Sequence, residues 1–178
     1  RPLYDSQDRL REKDNARANG LRTPLYAAVD DEASLRAALA EIGFPAVLKT
    51  RTLGYDGHGQ LVLKDEADVP RALPMLSVPC ILEAFVSFDF EASIVMVSNG
   101  ERVIHFPIGG TSTATVSSTC ASSPPRGWTT ACAAACCGRR AVHEILPLPR
   151  DPRHRVLLRA GEFYSTKMAP RPHNSGHY

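Results

Sequence analysis

Along residues 20–108 the apolar positions fall into short strand-like runs, broken by turn residues and interleaved with one clear helical period. "TPLYAAV" predicts a strand that ends at Asp30-Asp31, and these two residues are placed to cap a helix over "EASLRAALAEI". In that helix Leu35, Ala38, Leu39 and Ile42 recur at helical spacing, and Gly43 stops it. "PAVLKT" and "QLVL" predict two strands joined by a glycine-rich loop. "DEADVPRAL" predicts a short helix in which Pro70 is tolerable only in the first turn. "CILEAFV", "FEASIVMVS" and "RVIHFPI" predict three further strands, the last two joined by the turn Ser98-Asn99-Gly100. Ahead of all these, the polar segment "QDRLREKDNARANG" predicts a helix capped by Ser6 and stopped by Gly20.

After Ile108 the pattern is lost. "GGTSTATVSSTCASSPPRGWTTACAAACCGRR" is rich in Ser, Thr, Ala and Cys and carries neither a strand nor a helical period. The prolines of "ILPLPRDPRHRVLLRAG" break any helix there. Residues 111–160 therefore read as disordered or poorly packed, since little in them offsets the entropy of ordering. The polar cluster Arg171, His173, Asn174, Ser175, Gly176 and His177 follows, a ligand-reading composition.

Length and charge narrow the classes. The 178 residues suffice for one core or two small lobes, and a net charge of +2 is too small to make nucleic acid the main partner. No apolar run reaches membrane-span length and no signal-peptide pattern opens the chain, so no membrane partner is expected. The first residue is Arg1 rather than Met, which reads as a fragment or a processed chain. Cys80, Cys120, Cys132, Cys136 and Cys137 make an odd set without paired C-x-x-C spacing. That favours a reducing, cytoplasmic setting over disulfides, and it argues against a zinc site.

The strongest chemical signal follows the strand that ends near Lys49. Gly54, Tyr55, Asp56, Gly57, His58, Gly59 and Gln60 form a loop whose glycines permit positive φ and let backbone N–H groups converge on an anion. Lys49 supplies a point charge of the kind that phosphates recruit. The loop is neither a P-loop nor a dinucleotide fingerprint, because no helix follows it. It reads as a flap over phosphates or as an ordinary long hairpin turn. Glu83 and Glu91 flank "AFVSFDF". They read as acceptors for ribose hydroxyls, with Ala84, Phe85 and Val86 reading an adenine edge, or as solvent-facing acids on edge strands. His105, in an apolar strand, reads as a core histidine.

In order, "SQDRLREKD", "IGFPAVLKTRTLGYDGHGQ", "CILEAFVSFDFEASI" and "MAPRPHNSGHY" resemble the 5-(carboxyamino)imidazole ribonucleotide synthases, ATP-grasp enzymes of purine biosynthesis. The resemblance implies an α/β (α+β) ATP-grasp fold and an internal fragment lacking the N-terminal Rossmann-like lobe and the C-terminal end domain. It divides the chain into a linker helix (1–20), a small lobe with the phosphate flap (21–87) and a partial large lobe (88–178). It further implies ATP and Mg²⁺ as cofactors, aminoimidazole ribonucleotide and bicarbonate as substrates, and the homodimer common in the family. Lys49 would contact ATP phosphate and residues 54–60 would form the flap. Residues 83–86 would form the adenine hinge and Glu91 would hold the ribose. Arg171, His173, Asn174, Ser175, Gly176 and His177 would build the carboxylation pocket, with Arg171 and His173 catalytic. The implied reaction phosphorylates bicarbonate with ATP and passes the activated carboxyl group to the substrate amine.

The chain departs from the family pattern in three places. His58 stands where Lys or Arg is usual. Thr166 and Lys167 stand where the family has Asn-Glu, whose Glu holds magnesium; an ammonium there repels the metal. A segment like "NVHRDGI", expected after Ile108, is absent. With third codon bases free, residues 111–124 can be re-read in a second frame as Val-His-Arg-Asp-Gly-Ile-Leu-His-Leu-Cys-Val-Val-Pro. The same operation turns "EFYSTK" into Val-Leu-Leu-Asn-Glu, running into Met168. Residues 111–167 thus read as translated out of frame, with a divergent insertion as the alternative. The sequence predicts a carboxylating ligase by ancestry with an impaired site. The alternatives are a non-catalytic nucleotide-binding remnant and, ranked below it, a basic segment around Arg139, Arg140, Arg150, Arg153, Arg155 and Arg159.

Overall fold

The computed structural model describes residues 6–52, 59–88, 90–98, 103–105, 109–111, 121–122, 153–159 and 162–169. The chain forms two compact units, one of Gln7–Asp14 with Pro24–Val86 and the other of Arg1–Ser6, Asn15–Thr23 and Ser87–Tyr178.

The unit around Pro24–Val86 carries an antiparallel sheet in the order β1-β4-β2-β3, from β1 (Tyr26–Val29), β2 (Ala46–Thr50), β3 (Gln60–Leu63) and β4 (Cys80–Ala84). Because side chains alternate across a strand, Ala46 and Leu48 of β2 share one face with Cys80 and Leu82 of β4. That face packs with Val29, Leu63, Val69 and Ala72 and with Leu35, Ala38 and Leu39, residues of the second helix, in one buried cluster. The opposite face carries Val47, Lys49, Ile81 and Glu83, and it is this face that bears the charged groups.

The helices follow the sequence signals closely. The first, α1, spans Arg9–Ala18 and the second, α2, spans Glu32–Ile42. Asp31 caps α2: its carboxylate accepts from the Ser34 amide at 2.7 Å, and the Ser34 hydroxyl oxygen accepts from the Asp31 amide in return. The segment after β3 is broken into a 3₁₀ turn (Glu66–Asp68), the one-turn helix α3 (Val69–Ala72) and a second 3₁₀ turn (Leu73–Ser77), with Pro70 in the first turn of α3 as expected.

The start of α1 differs from the expectation. Asp8, not Ser6, serves the first turn: its side chain accepts from the Leu10 amide at 2.9 Å and its carbonyl from the Glu12 amide at 2.9 Å. A carboxylate also answers the positive end of the helix better than a hydroxyl. The stop at Gly20 is as read. The Gly20 amide donates to the Arg17 carbonyl and the Leu21 amide to the Ala16 carbonyl, with Gly20 at φ 79. This closing motif needs a left-handed residue. Gly20→Ala is expected to lower stability by about 1 kcal/mol from backbone strain alone, since no atom lies within 4 Å of an added Cβ. Chemical denaturation of the two chains checks it.

In the other unit, β5 (Phe90–Ser98) pairs along one edge with β6 (Val103–His105) and β7 (Gly109–Thr111), and along the other with β9 (Arg153–Arg159). The short β8 (Ala121–Ser122) extends β7, and β10 (Glu162–Ala169) extends β9. Strand β9 corrects the sequence reading, which took residues 111–160 as disordered or poorly packed. "RHRVLLR" does not alternate, yet β5 and β10 hydrogen-bond it on both sides, and strand preference depends more on such partners than on composition.

Candidate functional site

The clearest concentration of charge lies on the polar face of the β1–β4 sheet. Glu83 is the direct cross-strand partner of Val47, and Lys49, two positions further along β2, is its diagonal neighbour. The Lys49 ammonium donates to Glu83 Oε2 at 2.9 Å. From α1, the Lys13 ammonium approaches the same oxygen at 3.4 Å. The Lys13 side chain is 2% exposed and that of Glu83 3%, whereas Lys49 keeps 19% of its side chain accessible.

Two ammonium groups meet on one carboxylate in this buried cluster, and the buried Glu12 carboxylate also acts on Lys13. Burial pushes the Glu83 carboxyl up, but Lys13 and Lys49 outweigh it and hold the group below the usual carboxylate range. Burial pulls the Lys13 ammonium below the usual lysine value, with Glu83 and Glu12 opposing and Lys49 reinforcing that shift. Glu83 Oε1 is buried and has no hydrogen-bond partner among the described residues. Lys49, the one of the three groups with appreciable access, is a point charge of the kind that phosphates recruit.

The glycine loop joins β2 to β3 as a hairpin, with Lys49 opposite Gln60 at its mouth. The Thr50 amide donates to the Gly59 carbonyl at 2.9 Å, which closes the last rung. Gly59 is at φ 70, and a Cβ there would lie 2.7 Å from Thr50 Oγ1. Gly54, Tyr55, Asp56, Gly57 and His58 lie outside the described residues, as do Arg171, His173, Asn174, Ser175, Gly176 and His177.

Glu83 is not the edge-strand acid of the second sequence reading. It sits on an interior strand between β1 and β2, buried against two lysines, so it does not face solvent from an edge. The segment after it is held by the backbone. The Ala84 amide donates to the Leu25 carbonyl at 2.8 Å and the Phe85 amide to the Pro45 carbonyl at 3.1 Å. Phe85 itself is 44% exposed.

Lys13 is the member of the buried cluster that the sequence reading passed over. In a helix as polar as "RLREKDNARA" a lysine looks solvent-facing. The available signal was a spacing: Asp8, Glu12 and Ala16 recur every fourth residue, and all three are buried together with Lys13.

In the other unit, Glu91 lies on β5 opposite Leu157 of β9 and Thr111 of β7. Strand β10 carries a bulge at Thr166: Ser165 pairs with Val156 and Lys167 with Arg155, leaving Thr166 as the extra residue. A hydroxyl and an ammonium at this bulge do not make a donor set for a divalent cation. Among the described residues no group of three or more His, Cys, Asp or Glu is placed to hold a metal, and no helix is long and apolar enough to cross a membrane.

Comparison with known proteins adds the following. The ATP-grasp domain family matches residues 14–144. The N5-carboxyaminoimidazole ribonucleotide synthase of Pseudomonas aeruginosa is 39% identical over 193 aligned residues, covering 99% of this chain and 49% of the relative. The enzyme of the same name from Bacillus subtilis is 34% identical, with 99% of this chain and 47% of the relative covered. A crystal structure of an N5-carboxyaminoimidazole ribonucleotide synthetase in complex with ADP superposes with a TM-score of 0.84 at 33% identity, over 98% of this chain and 47% of that one. The chain spans about half the length of the relatives it matches.

Proposed function

Because this chain belongs to the ATP-grasp family, we propose that its Pro24–Val86 unit is the phosphate-holding part of an ATP-dependent N5-carboxyaminoimidazole ribonucleotide synthase. The observation that carries the reading is the buried Lys13–Glu83–Lys49 cluster beside the mouth of the glycine hairpin. In it Lys49, the more accessible ammonium, meets phosphate oxygens directly. Glu83 holds both lysines in place. The loop of residues 54–60 offers backbone N–H groups to the same anion, and the exposed Phe85 with Ala84 and Val86 offers an apolar edge to the base.

In the other unit, Glu91 is proposed for the ribose, and Arg171, His173, Asn174, Ser175, Gly176 and His177 for aminoimidazole ribonucleotide and bicarbonate. ATP supplies the phosphoryl group that activates bicarbonate. Magnesium is the family's expected companion, and Thr166-Lys167 do not fit it, so no step is assigned to the metal here. That misfit favours a second reading, a nucleotide-binding chain that does not complete carboxylation.

Calorimetric titration of the purified chain with ATP tests the proposal. Binding is expected, and Lys49→Met is expected to weaken it by about tenfold to a hundredfold, the loss of one charge-assisted contact. No carboxylation of aminoimidazole ribonucleotide is expected from the chain as it stands. Absence of ATP binding would overturn the nucleotide reading, and coupled turnover would overturn the impaired one.

A further inference from the structure

The carboxylate of Asp8 lies at a crossing point between helix α1 and the root of the glycine hairpin. It accepts from Arg51 Nε at 3.1 Å and from an Arg51 terminal nitrogen at 2.6 Å, a forked pair, while Arg11 stands 3.7 Å away. The Arg51 side chain is 23% exposed and that of Asp8 only 8%. Backbone contacts run in parallel. The Arg9 amide donates to the Arg51 carbonyl at 3.0 Å, the Arg9 guanidinium donates to the Thr50 carbonyl, and the Arg51 amide donates to the Pro79 carbonyl at 3.0 Å. The first turn of α1 is thereby fastened to Thr50 and Arg51, where the hairpin loop begins.

Helix α1 carries Lys13, five residues beyond Asp8, and β2 carries Lys49, two residues before Arg51. We propose that Asp8 and Arg51 are positioning residues of the phosphate site: their forked ion pair sets the distance between Lys13 and Lys49 and fixes the root from which the glycine loop starts. The contacts of Thr50 and Arg51 with the first turn of α1 carry the second part. The role in a phosphate site rests on the nucleotide reading above. A lysine could not replace Arg51, because one ammonium cannot satisfy both Asp8 oxygens in the plane that the fork occupies. Burial pushes the Asp8 carboxyl up, while Arg51 and the Leu10 amide pull it below the usual carboxylate range, so the pair is ionised at neutral pH.

Asp8→Asn is the informative variant, because asparagine still accepts from the Leu10 amide and keeps the helix cap while losing the charge. Amide hydrogen exchange on the nucleotide-free chain is the measurement. Exchange at Arg9, Thr50 and Arg51 is expected to accelerate by about tenfold or more, the equivalent of one charge-assisted hydrogen bond, with Leu35 and Leu39 of α2 unchanged. Arg51→Lys should show the same local acceleration, and Asp8→Glu should restore part of the protection. In each variant the ATP dissociation constant should rise in step with the exchange at the loop root. Unchanged exchange at these three amides would overturn the proposal. So would an equal acceleration in α2, which would make the pair a general stabiliser. A wild-type chain that binds no ATP would instead refute the nucleotide reading, and the exchange data would still judge the clamp.

Discussion

Replacing Glu83 by Gln is expected to lower the stability of the Pro24–Val86 unit by about 3–5 kcal/mol, the range for breaking a buried ion pair from one side. The amide cannot neutralise either lysine, and Lys13, with 2% of its side chain exposed, has no route to water without unpacking α1. Lys13→Met is the contrasting variant. It leaves the Lys49–Glu83 pair intact and fills the same space with apolar atoms, so it should cost far less stability while still weakening ATP binding. Urea denaturation of the two variants, each set against its ATP titration, separates the roles. Equal stability losses in both would show that Glu83 is not the keystone of the cluster. Acid should mimic Glu83→Gln. Glu83 has a folded value below its unfolded one, so its contribution is complete above the usual carboxylate range and is lost as pH falls through the folded value. The Gln variant should lack that part of the acid sensitivity.

Gly59→Ala is expected to cost about 2–3 kcal/mol, because two penalties combine at one position. The backbone is at φ 70, which a side chain resists. The added Cβ would also meet Thr50 Oγ1 at 2.7 Å and Thr50 Cγ2 at 3.3 Å, so turning the threonine exchanges one overlap for another. Relief by separation would open the rung between the Thr50 amide and the Gly59 carbonyl and splay the loop's ends away from Lys49. The double variant Thr50→Ala/Gly59→Ala should recover the steric share and retain the backbone share. A double-mutant cycle in denaturant measures the two separately. Full additivity would mean that the side chains do not meet.

The elements of the Pro24–Val86 unit were legible because each carries a local signal. Asp31 and Gly43 bound a helix whose apolar residues recur at helical spacing, and short apolar runs between turn residues mark the strands. Lys49 was legible as well, since a lysine before a glycine-rich hairpin needs no partner to be noticed. What the other charges do was not legible. Glu83 reads the same in an interior strand as in an edge strand, and only the order β1-β4-β2-β3 buries it. Lys13 and Asp8 sit in a helix without an apolar stripe, so their burial depends on groups contributed by distant strands, namely Glu83 and Arg51. Strand β9 is a third case: its composition specifies no period, and its ladders to β5 and β10 make it a strand. Local sequence determines which segments become helices and strands, because caps, turns and periodicity act over a few residues. Which charges are dry and paired was decided by tertiary structure, because burial and ion pairing join residues dozens of positions apart.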